Sequence, residues 1–208
     1  MGLDAVVSAF PTMNDANDGR SRSKGLLDLP PEIRDHIYKF LMAKPTNTIT
    51  MLSNYRIFES EISACQPALC WVNHQIRHEA LKCFYNSNLF LAEVSDKTDL
   101  ATAKKWLQAI GNANVACLRR LALCGWTRAP YGHMICKRWV KVVLDLKEGT
   151  IEMEGNGAET EQHPHIARCI EDLRRAYAEM VEARQGRRFD VASVSGLMDG
   201  FHGMCVAY

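Results

Sequence analysis

No apolar run in the sequence approaches the ~18 residues that a membrane-crossing helix needs, because Lys, Arg, Asp or Glu interrupts every candidate. A surplus of charge is missing too: 25 Lys and Arg stand against 24 Asp and Glu, a net charge of +1. That balance does not force the broad basic face that nucleic acid or anionic lipid would require. Cysteine is too sparse for a disulfide scaffold. The eight residues, at 65, 70, 83, 117, 124, 136, 169 and 205, fall mostly inside apolar patterns and read as reduced thiols packed as small hydrophobes. The chain opens with no basic segment followed by an apolar one, and Gly2 is followed by Val6 where a myristoylation signal wants Ser or Thr. Together these absences predict an intracellular protein, cytoplasmic or nuclear, with neither membrane nor nucleic acid as a partner. Also absent are GxSxG, P-loop, GxGxxG and CxxC motifs, so nucleophile, nucleotide and tight metal chelate all lack a local signature. The chain therefore reads as non-enzymatic and without a cofactor.

What is present is core material. Of the 208 residues 47% are hydrophobic, enough to fold about one domain. Residues 1–25 are rich in Asn, Asp, Ser and Gly and read as a flexible leader. Pro30 and Pro31 then mark a helix start, Glu32 sits near its positive end, and Leu29, Ile33, Ile37, Phe40 and Leu41 form one stripe before Lys44-Pro45 stops it. Between 46 and 66 the pattern is irregular, with Thr48–Leu52 and Tyr55–Phe58 as a candidate pair across Ser53-Asn54. A second helix is predicted over 67–85, with Leu69, Val72, Ile76, Ala80 and Phe84 buried. A short strand over 89–94 follows. Next comes a helix capped near Asp96 or Thr98 that ends at Gly111, then a strand over 118–124.

Val140, Val142, Leu144 and Leu146 alternate with polar residues, turn at Lys147-Glu148-Gly149, and continue as Ile151 and Met153, the clearest hairpin in the chain. A last helix from Pro164 to Gly186 buries Ile166, Ile170, Leu173, Tyr177 and Val181, while the tail from Phe189 reads as strand- and turn-like pieces. The order predicts an α+β fold: a helical N-terminal part (26–95), followed by a small, mostly antiparallel sheet backed by helices (96–208), as one compact unit.

Three constellations carry possible chemistry. Cys70, His74 and His78 lie at i, i+4 and i+8 of the second predicted helix, beside Cys65 and Cys83. They read either as converging zinc ligands or as a polar face with two exposed histidines. His163, His165 and Cys169 form a second such group, equally explained by a capping loop. Two basic runs, Arg184/Arg187/Arg188 and Lys137/Arg138/Lys141, are able to touch phosphate, but they also suit a helix C-terminus and the outer face of a strand. Trp126 and Tyr131, in Gly-Trp-Thr-Arg-Ala-Pro-Tyr-Gly, read as a loop whose aromatics either anchor a partner or pack into the core.

The segment Leu-Asp-Leu-Pro-Pro-Glu-Ile-Arg-Asp-His-Ile-Tyr-Lys-Phe-Leu at 27–41 resembles the opening of an F-box. The second block, Pro-Ala-Leu-Cys-Trp-Val-Asn-His-Gln-Ile-Arg-His-Glu-Ala-Leu-Lys-Cys-Phe-Tyr at 67–85 with Asn88-Leu-Phe90, is similar to that of fungal F-box-like proteins. A related fungal family named for two Glu-x-Arg motifs shares this plan. Glu32-Ile-Arg34 matches its first motif, and Gln75-Ile-Arg77 departs from the second. The resemblance covers about residues 26–125 and implies a protein-interaction module, in the F-box case a substrate receptor that docks on the Skp-type adaptor of a cullin ubiquitin ligase. Leu29, Pro30, Ile33, Ile37 and Leu41 would be its anchor row. The ~25-residue segment between the two helices and Asn73-His74 depart from the F-box pattern, which leaves a stand-alone fungal interaction domain as the alternative. A thiol enzyme or zinc protein is a third. From the residues alone, the stripe is either that anchor row or a face buried against the second helix.

Overall fold

In the computed structural model the described residues are 25–42, 48–51, 62–131, 133–154 and 164–206, with the side chains at 62, 63, 129 and 131 also left aside. Six strands form one sheet: β1 (Thr48–Thr50), β2 (Ile62–Ser63), β3 (Leu89–Glu93), β4 (Arg120–Tyr131), β5 (Met134–Asp145) and β6 (Thr150–Met153). Their order is β2-β1-β3-β4-β5-β6. Among the described residues five α-helices accompany them: α1 (Pro31–Met42), α2 (His74–Ser87), α3 (Lys97–Val115), α4 (Pro164–Ala183) and α5 (Val191–Val206). The protein is thus α+β with a mixed sheet, and no described helix is long and apolar enough to cross a membrane.

Connection length decides which half of the sheet is parallel. β3 and β4 are joined through α3, and β1 reaches β3 by way of α2, so both pairs run parallel, as helical crossovers require. β4, β5 and β6 are joined by short turns and run antiparallel, with Trp126 opposite Trp139 and Val142 opposite Met153. The long β4–β5 ladder, twelve residue pairs, makes the antiparallel half the larger by residues. The sheet is continuous across residue 95: β1 and β2, from the segment that separates α1 from α2, extend the strands of the C-terminal half.

Local chemistry explains most element ends. Asp96 caps α3 by accepting from the amides of Thr98 and Asp99, and Gly111 (φ +73°) breaks that helix before a final turn. Asn73 caps α2 through the amide of Ile76. Beneath α2 and α3 an aromatic cluster of Phe84, Tyr85, Phe90 and Trp106 has ring centroids 5.2–6.3 Å apart. The Trp106 indole donates to the Ala64 carbonyl at 3.1 Å.

Four expectations change. The second helix starts at 74, because residues 68–71 form a 3-10 turn that stops short of the Asn73 cap, and Val72 is exposed. β1 pairs in parallel with β2 and β3 instead of forming a local hairpin; the suggested partner at 55–58 lies outside the described residues. The strand predicted to stop at 124 runs on to Tyr131, so Trp126 is a strand residue and not a loop residue. The tail is the helix α5, packed on α3, α4 and β4. Val194, Leu197, Met198, Phe201 and Met204 are buried on it, and Lys104 of α3 pairs with its Asp199 at 2.5 Å.

Candidate functional site

At 100° per residue, Arg34, Tyr38 and Met42 form a stripe along α1, and it is these three that are buried. Arg34 donates from Nε to Glu79 Oε2 at 2.9 Å and from Nη2 to Oε1 at 2.7 Å, a two-pronged pair across to α2. Its Nη1 donates to the Leu29 carbonyl at 2.6 Å, which ties the 3-10 turn at 26–28 to the helix it precedes. Tyr38 adds a hydroxyl bond to Glu79 Oε2 at 3.0 Å, and Gln75 Nε2 reaches Oε1 at 3.1 Å. Hydrogen bonds from Arg34, helped by those from Gln75 and Tyr38, hold the Glu79 carboxyl down to about 2 against the opposing effect of burial. Asn88, fully buried, closes the far end by donating to the carbonyls of Met42 and Phe84. Two of the polar residues quoted for the resemblance, Arg34 and Asn88, therefore join α1 to α2.

The neighbouring stripe faces outward. Ile33 is 46% exposed, Leu41 51% and Phe40 85%. Ile37 and Leu29 are half-buried at its margin, and Pro30 is exposed at its head. The expected row Leu29, Pro30, Ile33, Ile37 and Leu41 is thus a single surface, rotated off the α1–α2 contact because Glu79 draws Arg34 inward. The reading in which that stripe is buried against α2 is overturned. Nearby in the fold, Trp71 and Val72 on the segment leading into α2 are exposed as well.

The second apolar surface is the β4–β5 ribbon. Trp126 and Trp139 face each other across the strands, centroids 5.2 Å apart and edge to face, with 49% and 45% exposure. Met134 and Ile135 are exposed near the turn of the ribbon. Tyr131 is the last residue of β4, and its side chain lies outside the described residues. That Trp139 stands opposite Trp126 was not legible from the sequence. The signal that places it is the register of the long ladder: with Tyr131 opposite Met134, residue 126 pairs with 139.

The candidate ligand groups are scattered. Cys70 is buried in the 3-10 turn, while His74 and His78 are exposed on α2, since the helical spacing that would align the three does not extend back to residue 70. His165 and Cys169 lie 3.5 Å apart one turn along α4, and His163 is outside the described residues. Among the described residues no group of three His, Cys, Asp or Glu side chains gathers as a metal site would require. Burial pushes the thiols of Cys70, Cys83 and Cys169 up, and that of Cys205 up to about 12. Such protonated thiols are the opposite of an activated nucleophile. Comparison with protein-family models, with curated proteins and with solved structures found no match for this chain.

Proposed function

We propose that the protein is a non-enzymatic interaction module of F-box-like plan, in which the outer face of α1 docks the Skp-type adaptor of a cullin ubiquitin ligase. The β4–β5 ribbon would offer a separate surface to a recruited protein. The observation that carries this reading is the inversion on α1: Arg34 and Tyr38 point inward while Ile33, Phe40 and Leu41 stay in solvent. Helix-in-groove recognition uses apolar anchors one turn apart on a helix whose other side is already fixed. Ile33, Ile37 and Leu41 have that spacing.

A second reading has its own support. β1 and β2 bind the two helices into the sheet, which suits a stand-alone fungal interaction domain better than a free-standing helical unit. Co-purification of the full chain with a fungal Skp-type adaptor separates the two. A stable 1:1 peak on size-exclusion chromatography is expected, lost in the Ile33→Asp/Leu41→Asp double variant while its circular-dichroism melt is unchanged. Separate peaks from two well-folded proteins would sink adaptor docking and favour the second reading.

A further inference from the structure

The chain as a whole is nearly neutral, yet its cations are not evenly spread. A cleft of about 630 Å³ opens between the ends of α2, α3 and α4, and seven cationic side chains line it against two acidic ones. Lys39 comes from α1 and Lys82 from α2; Arg119 precedes β4 and Lys147 sits in the β5–β6 turn. The segment after α4 supplies Arg184, Arg187 and Arg188. Of the two acids, Glu79 is already engaged by Arg34, which leaves Asp35.

Helix termini offer one explanation for such a cluster, since cations favour the negative ends of helices. The magnitudes do not close. Arg119 is paired with Asp145, Lys147 with Glu148 and Glu79 with Arg34, so five lining cations face Asp35 alone, a surplus of four. Three termini at half a charge each offset at most ~1.5 of it, and a positive surplus of roughly 2.5 remains.

Several of these groups are also held in place before any ligand arrives. Arg119 Nε lies 3.3 Å from Asp145 Oδ2. Arg184 donates to the Leu146 carbonyl at 2.9 Å and stacks over Phe189, 4.5 Å from the ring centroid. Arg188 donates to the Ala116 carbonyl at 3.3 Å. Each guanidinium keeps further N–H groups, and the Arg184 Nε is buried with no partner. Lys39 and Lys82 have no hydrogen-bond or ion-pair partner among the described residues. Arginines already fixed beside unpaired lysines reduce the ordering cost of capturing an anion.

We propose that this cleft is a binding site for a compact small-molecule anion bearing two or more phosphates. One phosphate engages two or three cations, so a lining of seven drawn from five segments calls for several anionic groups. The volume suits a small molecule. A nucleic-acid strand fits less well, because Phe189, the one Phe, Tyr or Trp in the lining, is already covered by Arg184, which leaves only the His78 imidazole for a base to stack on.

Isothermal titration of the full chain with inositol hexakisphosphate, with pyrophosphate and with ADP tests this and distinguishes the sources of phosphate. Saturable 1:1 binding by at least one of them, with a raised melting midpoint, is expected. In Lys82→Glu/Arg188→Glu the affinity should fall at least about tenfold with the ligand-free melt unchanged. Arg174→Glu/Arg175→Glu, on the exposed face of α4, should bind as the parent does. The proposal is overturned by no saturation at about millimolar anion, or by equal losses in both double variants. It also fails if a short single-stranded RNA binds more tightly than all three and is lost in the same cleft variant, for the occupant would then be a nucleic acid.

Discussion

Where α1 meets α2 the central contact is made by a guanidinium, a phenol and a carboxylate. Where α4 and α5 lie together against the sheet, their buried residues are almost all apolar: Ile166, Ile170, Leu173 and Tyr177 on one, Val194, Leu197, Met198 and Phe201 on the other. The two regions also differ outside. Among the large hydrophobics of α4 and α5 only Val206 is strongly exposed, whereas α1 leaves Ile33, Phe40 and Leu41 in water. A helix that served only its own fold would bury those three, since a buried ion pair gives little net stability over well-packed hydrophobes of similar volume. What the contrast teaches is a division of labour. The C-terminal pair spends its apolar residues on the core, and α1 is attached by polar bonds that leave its apolar residues available.

The contrast is open to test, and the largest effect is expected where a charge would be left alone. Arg34→Met removes both prongs to Glu79 and the bond to the Leu29 carbonyl. It should lower the melting midpoint by roughly 5–10 °C, read by circular dichroism. If Ile33→Asp/Leu41→Asp lowers it as far, the outer face of α1 is core after all and the division between the two regions disappears.

Next is the apolar region, probed by overfilling it. A Cβ on Gly125 would sit 2.9 Å from Cys205 Sγ and 3.3 Å from Ser95 Oγ, where α5 crosses β4. Gly125→Ala should cost ~1–3 kcal/mol and lower the midpoint by a few degrees, while the adaptor binding proposed for α1 should be unaffected. A variant as stable as the parent would mean that α5 yields easily and that the C-terminal region is less tightly packed than the α1–α2 joint.

A smaller effect separates the regions by pH. The Glu79 carboxyl sits well below its ordinary value, at about 2. Its contribution is therefore complete above its ordinary range near 4.5 and is lost as pH falls through that of the folded state. The parent should lose more of its melting midpoint between pH 5 and pH 2.5 than Glu79→Gln does, and parallel curves would remove Glu79 from the account. The smallest effect is expected from Ile33→Asp/Leu41→Asp: within about 0.5 kcal/mol of the parent in stability, although adaptor binding is lost.

Much of the architecture was legible in the residues. The period of the α4 stripe, the alternation in β5 and β6, the Asp96 cap and the break at Gly111 each arise from interactions within a few positions of one another, and each appears where it was expected. α5 was not legible. Gly196, Gly200 and Gly203 depress its helical signal, and its exposed face carries Ala192, Gly196, Gly203 and Val206 where charged residues would have marked the period. The candidate site was half legible. Leu29, Ile33, Ile37 and Leu41 could be grouped by spacing, but Arg34, Tyr38 and Met42 repeat with the same spacing one residue on.

The sequence by itself thus determined most of the secondary elements up to α4, the Asp96 cap and the amphipathic rows, because those depend on neighbours in the chain. Tertiary structure decided which row of α1 faces in, because that choice is made by Glu79, 45 residues away. It also brought Trp126 opposite Trp139 through the register of a long ladder, and gathered Lys39, Lys82, Arg119 and Arg184–Arg188 around one cleft. Periodicity records what a residue's chain neighbours require of it, and these three arrangements depend on residues that only folding brings near.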